Sequence, residues 1–423
     1  MATSLRGERA SMLKINGERL WSSLMEMAKI GGTAAGGVRR LALTEEDAAG
    51  RALFARWCIE AGLTLTVDEV GNLFARRAGR DASASPVASG SHLDTQPEGG
   101  RFDGVYGVLA ALEVVRTLND ADIDTDKPIE IVVWTNEEGA RFTPAMLGSA
   151  AFTGAMPREQ ALAAQDSSGC SVRDALQAIS YAGTRPVPGI VFDAYFEAHI
   201  EQGPVLEENG VPIGIVTGGQ AIRWLDVRVR GQAAHAGTTP MPFRRDALFG
   251  SAEMASALEG ISAEFAPQGL VTIGEISIRN ASRNTIAADL SFTVDLRHPE
   301  DSRIDAMETL LREKFEAVAA RRGLTVEISR HWVSPATPFD TDCVAAVTHA
   351  VEKLDYPHQR IVSGAGHDAI HLARHCPSAM IFIPCVNGLS HNEAEDALPQ
   401  DVTRGADVLL HAILARAGQK CSA

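Results

Sequence analysis

The chain has 423 residues, of which 45% are apolar, and its 39 basic against 54 acidic side chains give a formal net charge of −15. That length and apolar content supply more than one domain-sized core. An acidic chain without a basic block argues against nucleic acid or an anionic membrane surface as its main partner.

The N-terminal stretch MATSLRGERASMLKINGERLW lacks the apolar run of a secretory leader, and no segment has the apolar length of a membrane span, so a cytoplasmic protein is expected. Cys58, Cys170, Cys343, Cys376, Cys385 and Cys421 are scattered and form no C-x-x-C pair; buried thiols are expected rather than a disulfide framework.

Residues 14–30 and 45–62 carry helical spacing, and Leu63–Val67 and Leu73–Arg76 read as strands around a Gly71–Asn72 turn. A polar loop at 78–90 leads to the motif Gly90-Ser91-His92-Leu93-Asp94-Thr95. The apolar helix Val105–Leu118 and the continuous apolar strand Ile129–Trp134 follow. Such alternation predicts a largely parallel sheet covered by helices. Beyond the strand Ala194–Ile200 and the glycine-rich stretch Gly214–Gly219 the texture changes. Trp224–Arg230, Ala247–Leu258, Leu270–Ile278, Ala288–Leu296, Ile304–Ala320 and Thr325–Trp332 read as β-α-β-β-α-β, an antiparallel two-layer unit. The expected division is a catalytic domain of 1–217 and 335–423 with an inserted domain of 218–334.

The chemistry-bearing residues recur beside strands of the larger domain. His92 at a strand end is followed by Asp103 at the start of an apolar helix, and imidazole with carboxylate suits zinc, manganese, cobalt or nickel. Asp94 is placed to orient the other ring nitrogen of His92. Glu137 and Glu138 follow the strand Ile129–Trp134, at the kind of strand end where α/β sheets place ligands. Strand alternation puts Glu197, His199 and Glu201 on one face. His391 follows the strand Ala379–Ile383, and Gly364–Ala369 forms a glycine-rich loop with amides available to a polar ligand. Each motif alone also fits a polar turn or an ordinary hydrogen-bonded histidine; His367, His371 and His375 are read that way. Together, His92, Asp103, Glu138, His199 and His391 supply the five or so ligands that two metals sharing an aspartate need, with Glu137 left over.

The segments GSHLDTQPEGGRFDG, WTNEEGARF, EAHIEQGP, RGQAAHAGTTPM, SRNTIAADL and SGAGHDA resemble the hydantoinase/carbamoylase amidases, relatives of the dinuclear-zinc aminopeptidases, over about residues 14–415. The resemblance implies an aminopeptidase-like α/β catalytic domain with a mostly parallel sheet and a ferredoxin-like inserted domain acting as dimerisation unit or lid. It implies two divalent ions per subunit, Zn2+ foremost and Mn2+, Co2+ or Ni2+ as alternatives. His92, Asp103, Glu138, His199 and His391 would hold them and Glu137 would be the general base. His235 would act on substrate from the partner subunit of a homodimer, and Gln202, Arg223, Asn284, Arg297 and Gly366 would bind substrate, with Arg297 clamping a carboxylate. Where the allantoate branch tends to place Gln before this arginine, the chain has Ile222. The implied reaction is hydrolysis of the carbamoyl C–N bond of an N-carbamoyl-L-amino acid. β-Ureidopropionase, allantoate amidohydrolase, aminoacylase or peptidase activity, and a metal-free binding protein of the same fold, are the alternatives.

Overall fold

The computed structural model of the chain describes residues 13–421, with side chains to Gly418. The part of the leader reading that falls on residues 1–12, and the side chain of Cys421, lie outside this description. The chain divides into two compact units, one ending at Thr217 and resuming at Pro338, the other spanning Gly218–Thr337. The return crossing follows Thr337, a few residues beyond the expected boundary at 334, and the amide of Ala336 is tied to Asp301 Oδ1 of the inserted unit (3.0 Å).

The larger unit is built on a nine-stranded sheet among the described residues. The strands run Thr64–Val67, Leu73–Arg77, Ile129–Trp134, Val87–His92, Ala194–Ile200, Ser378–Ile383 and Ile213–Gly219, ending on Thr337–Pro338, with His358–Ser363 also paired to Ile213–Gly219. The four central strands are parallel, registered His92 opposite Trp134, Ser89 opposite Phe196 and Ile383 opposite Ile200, while the flanking pairs are antiparallel. Every residue of Val87–His92, Ile129–Trp134, Ala194–Ile200 and Ser378–Ile383 is buried, on both faces. Residues 87–90, expected to be part of a polar loop, begin a strand instead: their small side chains fit the close packing of the sheet, where a Cβ on Gly90 would overlap the carbonyl of Val132. The helix Val105–Asp120 packs against Val87–His92 and Ala194–Ile200 and against the helices Gly17–Met27 and Pro399–Ala417. Leu109, Leu112, Val114 and Val115 have at most 1% of their surface exposed, so this helix is apolar on all sides because it is covered on all sides.

The inserted unit orders its strands Thr325–Ser334, Ala221–Arg230, Asp289–His298, then Leu270–Thr272 and Ile276–Ile278 side by side on one edge, all antiparallel. Its helices Ala247–Glu264 and Asp301–Arg322 bury Met254, Leu258, Leu311 and Phe315 with Leu225, Val227, Val229, Leu290 and Val294. The single strand expected over Leu270–Ile278 is two: Thr272 faces Asp295 and Ile276 faces Phe292, so three residues oppose two around Gly274. The side chain of Thr293 fills the gap by accepting from the amide of Glu275 at 3.0 Å, a β-bulge. Cys58, Cys343, Cys376 and Cys385 are buried and Cys170 is half-buried; none of these five is in a disulfide. No helix among the described residues is long and apolar enough to cross a membrane.

Candidate metal centre

The parallel strands deliver their side chains at one end of the larger unit. His92 is the last residue of its strand, Thr135–Glu138 follow Ile129–Trp134, and His199 is the penultimate residue of Ala194–Ile200. That is the carboxyl edge, where an α/β sheet gathers its ligands.

Asp103 stands at the centre. Its Oδ1 lies 3.2 Å from His199 Nε2 and 3.5 Å from His92 Nε2, while its Oδ2 lies 3.4 Å from His391 Nε2. His391 Nε2 is in turn 3.3 Å from Glu138 Oε2. One carboxylate therefore faces two donor sets, His92 with His199 and His391 with Glu138. In each set the ligand atoms lie within 4.8 Å of one another.

The far ring nitrogens are fixed by the main chain. His92 Nδ1 is 2.9 Å from the carbonyl of Asp94, and His199 Nδ1 is 2.9 Å from the carbonyl of Ile200. Both contacts require Nδ1 to donate, which leaves each Nε2 an acceptor on the Asp103 side, where that of His199 accepts the amide of Gly104 at 3.2 Å. Asp94 thus orients His92 through its carbonyl, not its carboxylate as the spacing suggests. Its two carboxylate oxygens accept the amides of Glu137 (3.3 Å) and Glu138 (3.2 Å), holding the turn that presents both glutamates.

The turn before the apolar helix is equally constrained. Gly104 has φ 68° and ψ −49°, and Val105 N reaches the carbonyl of Asp103 at 2.7 Å, a γ-turn of the positive-φ kind. A Cβ there would collide with the His92 ring. Only glycine both takes this backbone and leaves room for the imidazole.

The electrostatics describe a pocket short of positive charge. Burial pushes the carboxyl groups of Glu137, Asp94, Glu197 and Asp368 up, and raises Glu138 and Glu395 to about 7. Burial works the same way on Asp103, but the neighbouring imidazoles of His199, His391 and His92 override it and hold Asp103 well below the usual range. His391 is drawn up to about 9, chiefly by Asp103. Buried carboxylates crowded around imidazoles are stable when cations sit among them, and the nitrogen and oxygen donors present suit a borderline divalent ion. The donor set therefore fits metal.

Glu137 is 7% exposed, and its Oε2 lies 3.4 Å from His92 Nε2. It ligates in neither donor set and is free to handle protons beside them. Gln202, in the left-handed region at φ 58°, places Nε2 2.9 Å from Asp103 Oδ2. Gly366 precedes His367, and a Cβ on it would meet Met146 Cε at 3.2 Å.

The remaining expected residues belong to the inserted unit. His235 bridges to Thr285, and Ala236 N donates to the carbonyl of Asn284 at 2.9 Å, so His235 and Asn284 share one loop pair. Arg297 turns Nε and Nη2 onto Asp295 at 2.8–3.2 Å. Arg223 is engaged by Asp305 at 2.9 Å and approached by Glu308. Arg223 is itself buried, while its partner Asp305 is exposed.

Two expectations change, and one residue is added. Glu201 does not join Glu197 and His199: the strand ends at Ile200, and the Glu201 carboxylate accepts the amides of Val205 and Leu206 at 2.9 and 2.8 Å. His367 is no ordinary loop residue, for its buried ring packs on His199 at 4.5 Å between centroids. Glu395, which the sequence reading passes over, is buried against the amides of Phe102 and Asp103. Its only sequence signal is an acidic residue four places after His391 outside any helix, and that spacing has no regular geometry.

The comparisons fit this geometry. Residues 88–415 match the peptidase family M20/M25/M40. An N-carbamoyl-L-amino-acid amidohydrolase of Rhizobium meliloti is 46% identical over 95% of this chain and 96% of its own length. One from Geobacillus stearothermophilus is 38% identical over 94% of this chain and 98% of its own length. The crystal structure of a hydantoinase/carbamoylase family amidase from Burkholderia ambifaria superposes with a TM-score of 0.93 at 67% identity, covering 97% of this chain and all (100%) of that one. The chain belongs to the M20/M25/M40 peptidase family, within its hydantoinase/carbamoylase branch, and is a hydrolase acting on amides.

Proposed function

We propose that the protein hydrolyses the carbamoyl C–N bond of N-carbamoyl-L-amino acids. The products are the free amino acid, carbon dioxide and ammonia. The observation that carries the reading is Asp103 facing two donor sets, with Glu137 buried beside one of them.

His92, His199 and Asp103 would hold one ion, and His391, Glu138 and Asp103 would hold the other. When bound, two divalent cations, Zn2+ foremost, polarise a carbonyl and acidify water. Glu137 takes the proton of the attacking water and returns it to the leaving nitrogen. Asp94 keeps that carboxylate at a fixed height by holding the Glu137 and Glu138 amides. His235 and Asn284 are the donors assigned to the developing oxyanion. Arg297 is assigned to the substrate carboxylate, where a planar fork of donors gives a two-point grip that Asp295 pre-orients. Gln202 and Gly366 are assigned to substrate as well. Arg223 is assigned to substrate too, with Asp305 holding its guanidinium as Asp295 holds that of Arg297.

The inserted unit is the proposed dimerisation unit and lid of a cytoplasmic homodimer. Exposed Met241, Phe243, Leu248 and Phe249, close in sequence on that unit, support an association surface.

The test is a substrate panel for the metal-loaded protein: N-carbamoyl-L-α-amino acids, N-carbamoyl-β-alanine, allantoate, N-acetyl amino acids and dipeptides. The highest kcat/KM is expected on an N-carbamoyl-L-α-amino acid. A preference for N-acetyl amino acids or dipeptides would replace the reading with an aminoacylase or peptidase.

A further inference from the structure

Two of the three segments that carry the His391 donor set are residues 100–104, which present Asp103, and residues 389–396, which present His391. They are joined by the Arg101–Asp396 ion pair and by one deeply buried side chain, Glu395. Glu395 is 1% exposed, and its Oε1 accepts the amides of Phe102 at 3.0 Å and Asp103 at 3.1 Å. Its Oε2 is 2.8 Å from Ser390 Oγ. The same hydroxyl lies 3.0 Å from Asp103 Oδ2. The fit leaves no slack, since a Cβ on Gly100 would overlap Glu395 Oε1.

Ser390 has one hydroxyl hydrogen and two carboxylates facing it, so it can donate to only one at a time. Donation to Asp103 Oδ2 would occupy the oxygen that faces His391. Donation to Glu395 takes the serine hydrogen off that oxygen, which Gln202 Nε2 also approaches at 2.9 Å. We propose that Glu395 is a positioning residue for the His391–Glu138 cation seat, fixing the backbone of Asp103 and drawing the Ser390 hydroxyl away from Asp103 Oδ2. The proposal rests on the two-cation reading above.

Groups one step removed from a metal typically change its affinity about 10- to 100-fold when replaced. The experiment measures bound Zn2+ per chain after dialysis, and the two affinities by competition with a chromophoric chelator. It uses the full-length wild type, Glu395→Gln, Ser390→Ala and the double variant, with circular dichroism and Tm to confirm folding. Glutamine keeps an acceptor for the two amides but turns an N–H onto Ser390, which directs the serine hydrogen to Asp103. Glu395→Gln is therefore expected to weaken the second ion about 10- to 100-fold and the first by less than about threefold. Adding Ser390→Ala is expected to restore most of that loss, which a merely structural role for Glu395 would not do.

Two tightly held ions in Glu395→Gln, with wild-type affinities, would overturn the proposal and leave the proposed function standing. Equal weakening of both ions, or no recovery in the double variant, would overturn it as well. A wild type that never binds a second ion would overturn both.

Discussion

At the scale of single residues, the proposed function gives proton handling to Glu137, a carboxylate that belongs to neither donor set. Glu137→Gln preserves its shape and the Asp94 bond to its amide, so metal content is expected to stay near wild type. Turnover is expected to fall about 100- to 10 000-fold, the usual range for a lost acid–base group. Retention of near-wild-type kcat would remove Glu137 from that role. Arg297→Ala removes a charged two-point contact, and kcat/KM on carboxylate-bearing substrates is expected to drop about 10- to 100-fold. An unchanged value would show that the carboxylate is bound elsewhere. The residues easiest to read are those whose types alone carry chemistry: His92, Asp103, Glu138, His199 and His391 each stand beside an apolar strand or helix that marks its place. Asp94 is legible as a partner of His92 but not in its manner, because sequence cannot tell a side-chain contact from a carbonyl contact. Glu395 and His367 are not legible, because each reaches the centre through a long-range fold-back, Glu395 onto Phe102 and Asp103 and His367 onto the ring of His199.

At the scale of elements, the site is assembled by how strands end and how one helix begins. Burial on both faces gives Ile129–Trp134 its apolar texture, so composition makes that strand recognisable, whereas the equally buried Val87–His92 is built from small and polar residues and its first half reads as loop. The edge of the inserted sheet is harder to read, since Leu270–Ile278 has the composition of one strand and is split by a bulge that depends on Thr293 across the ladder. The start of the helix Val105–Asp120 is the most demanding joint. Gly104→Ala forces a side chain into a positive-φ turn and into the His92 ring. The backbone strain and overpacking together are expected to cost about 2–5 kcal/mol, and one or both ions should be lost. A variant with wild-type Tm and wild-type metal content would contradict this reading of the turn.

At the scale of the whole molecule, folding stability and the metal centre are linked, because the pocket gathers more buried carboxylate than its imidazoles balance. Cations that bind the folded chain and not the unfolded one stabilise it by about 3 kcal/mol per site at a hundredfold excess over Kd. Chelation is therefore expected to lower Tm, and return of Zn2+, Mn2+ or Co2+ to restore it. A Tm indifferent to chelator would mean that the donor sets do not hold metal in the native protein. The measurement that bears most directly on the proposed reaction is ammonia release from an N-carbamoyl-L-amino acid by the purified protein. It would be run as isolated, after chelation, and after reloading with divalent cation. The expected result is release that chelation abolishes and reloading restores, with one amino acid formed per ammonia. Release that persists without metal, or no release from any N-carbamoyl-L-amino acid by protein carrying two ions, would contradict it.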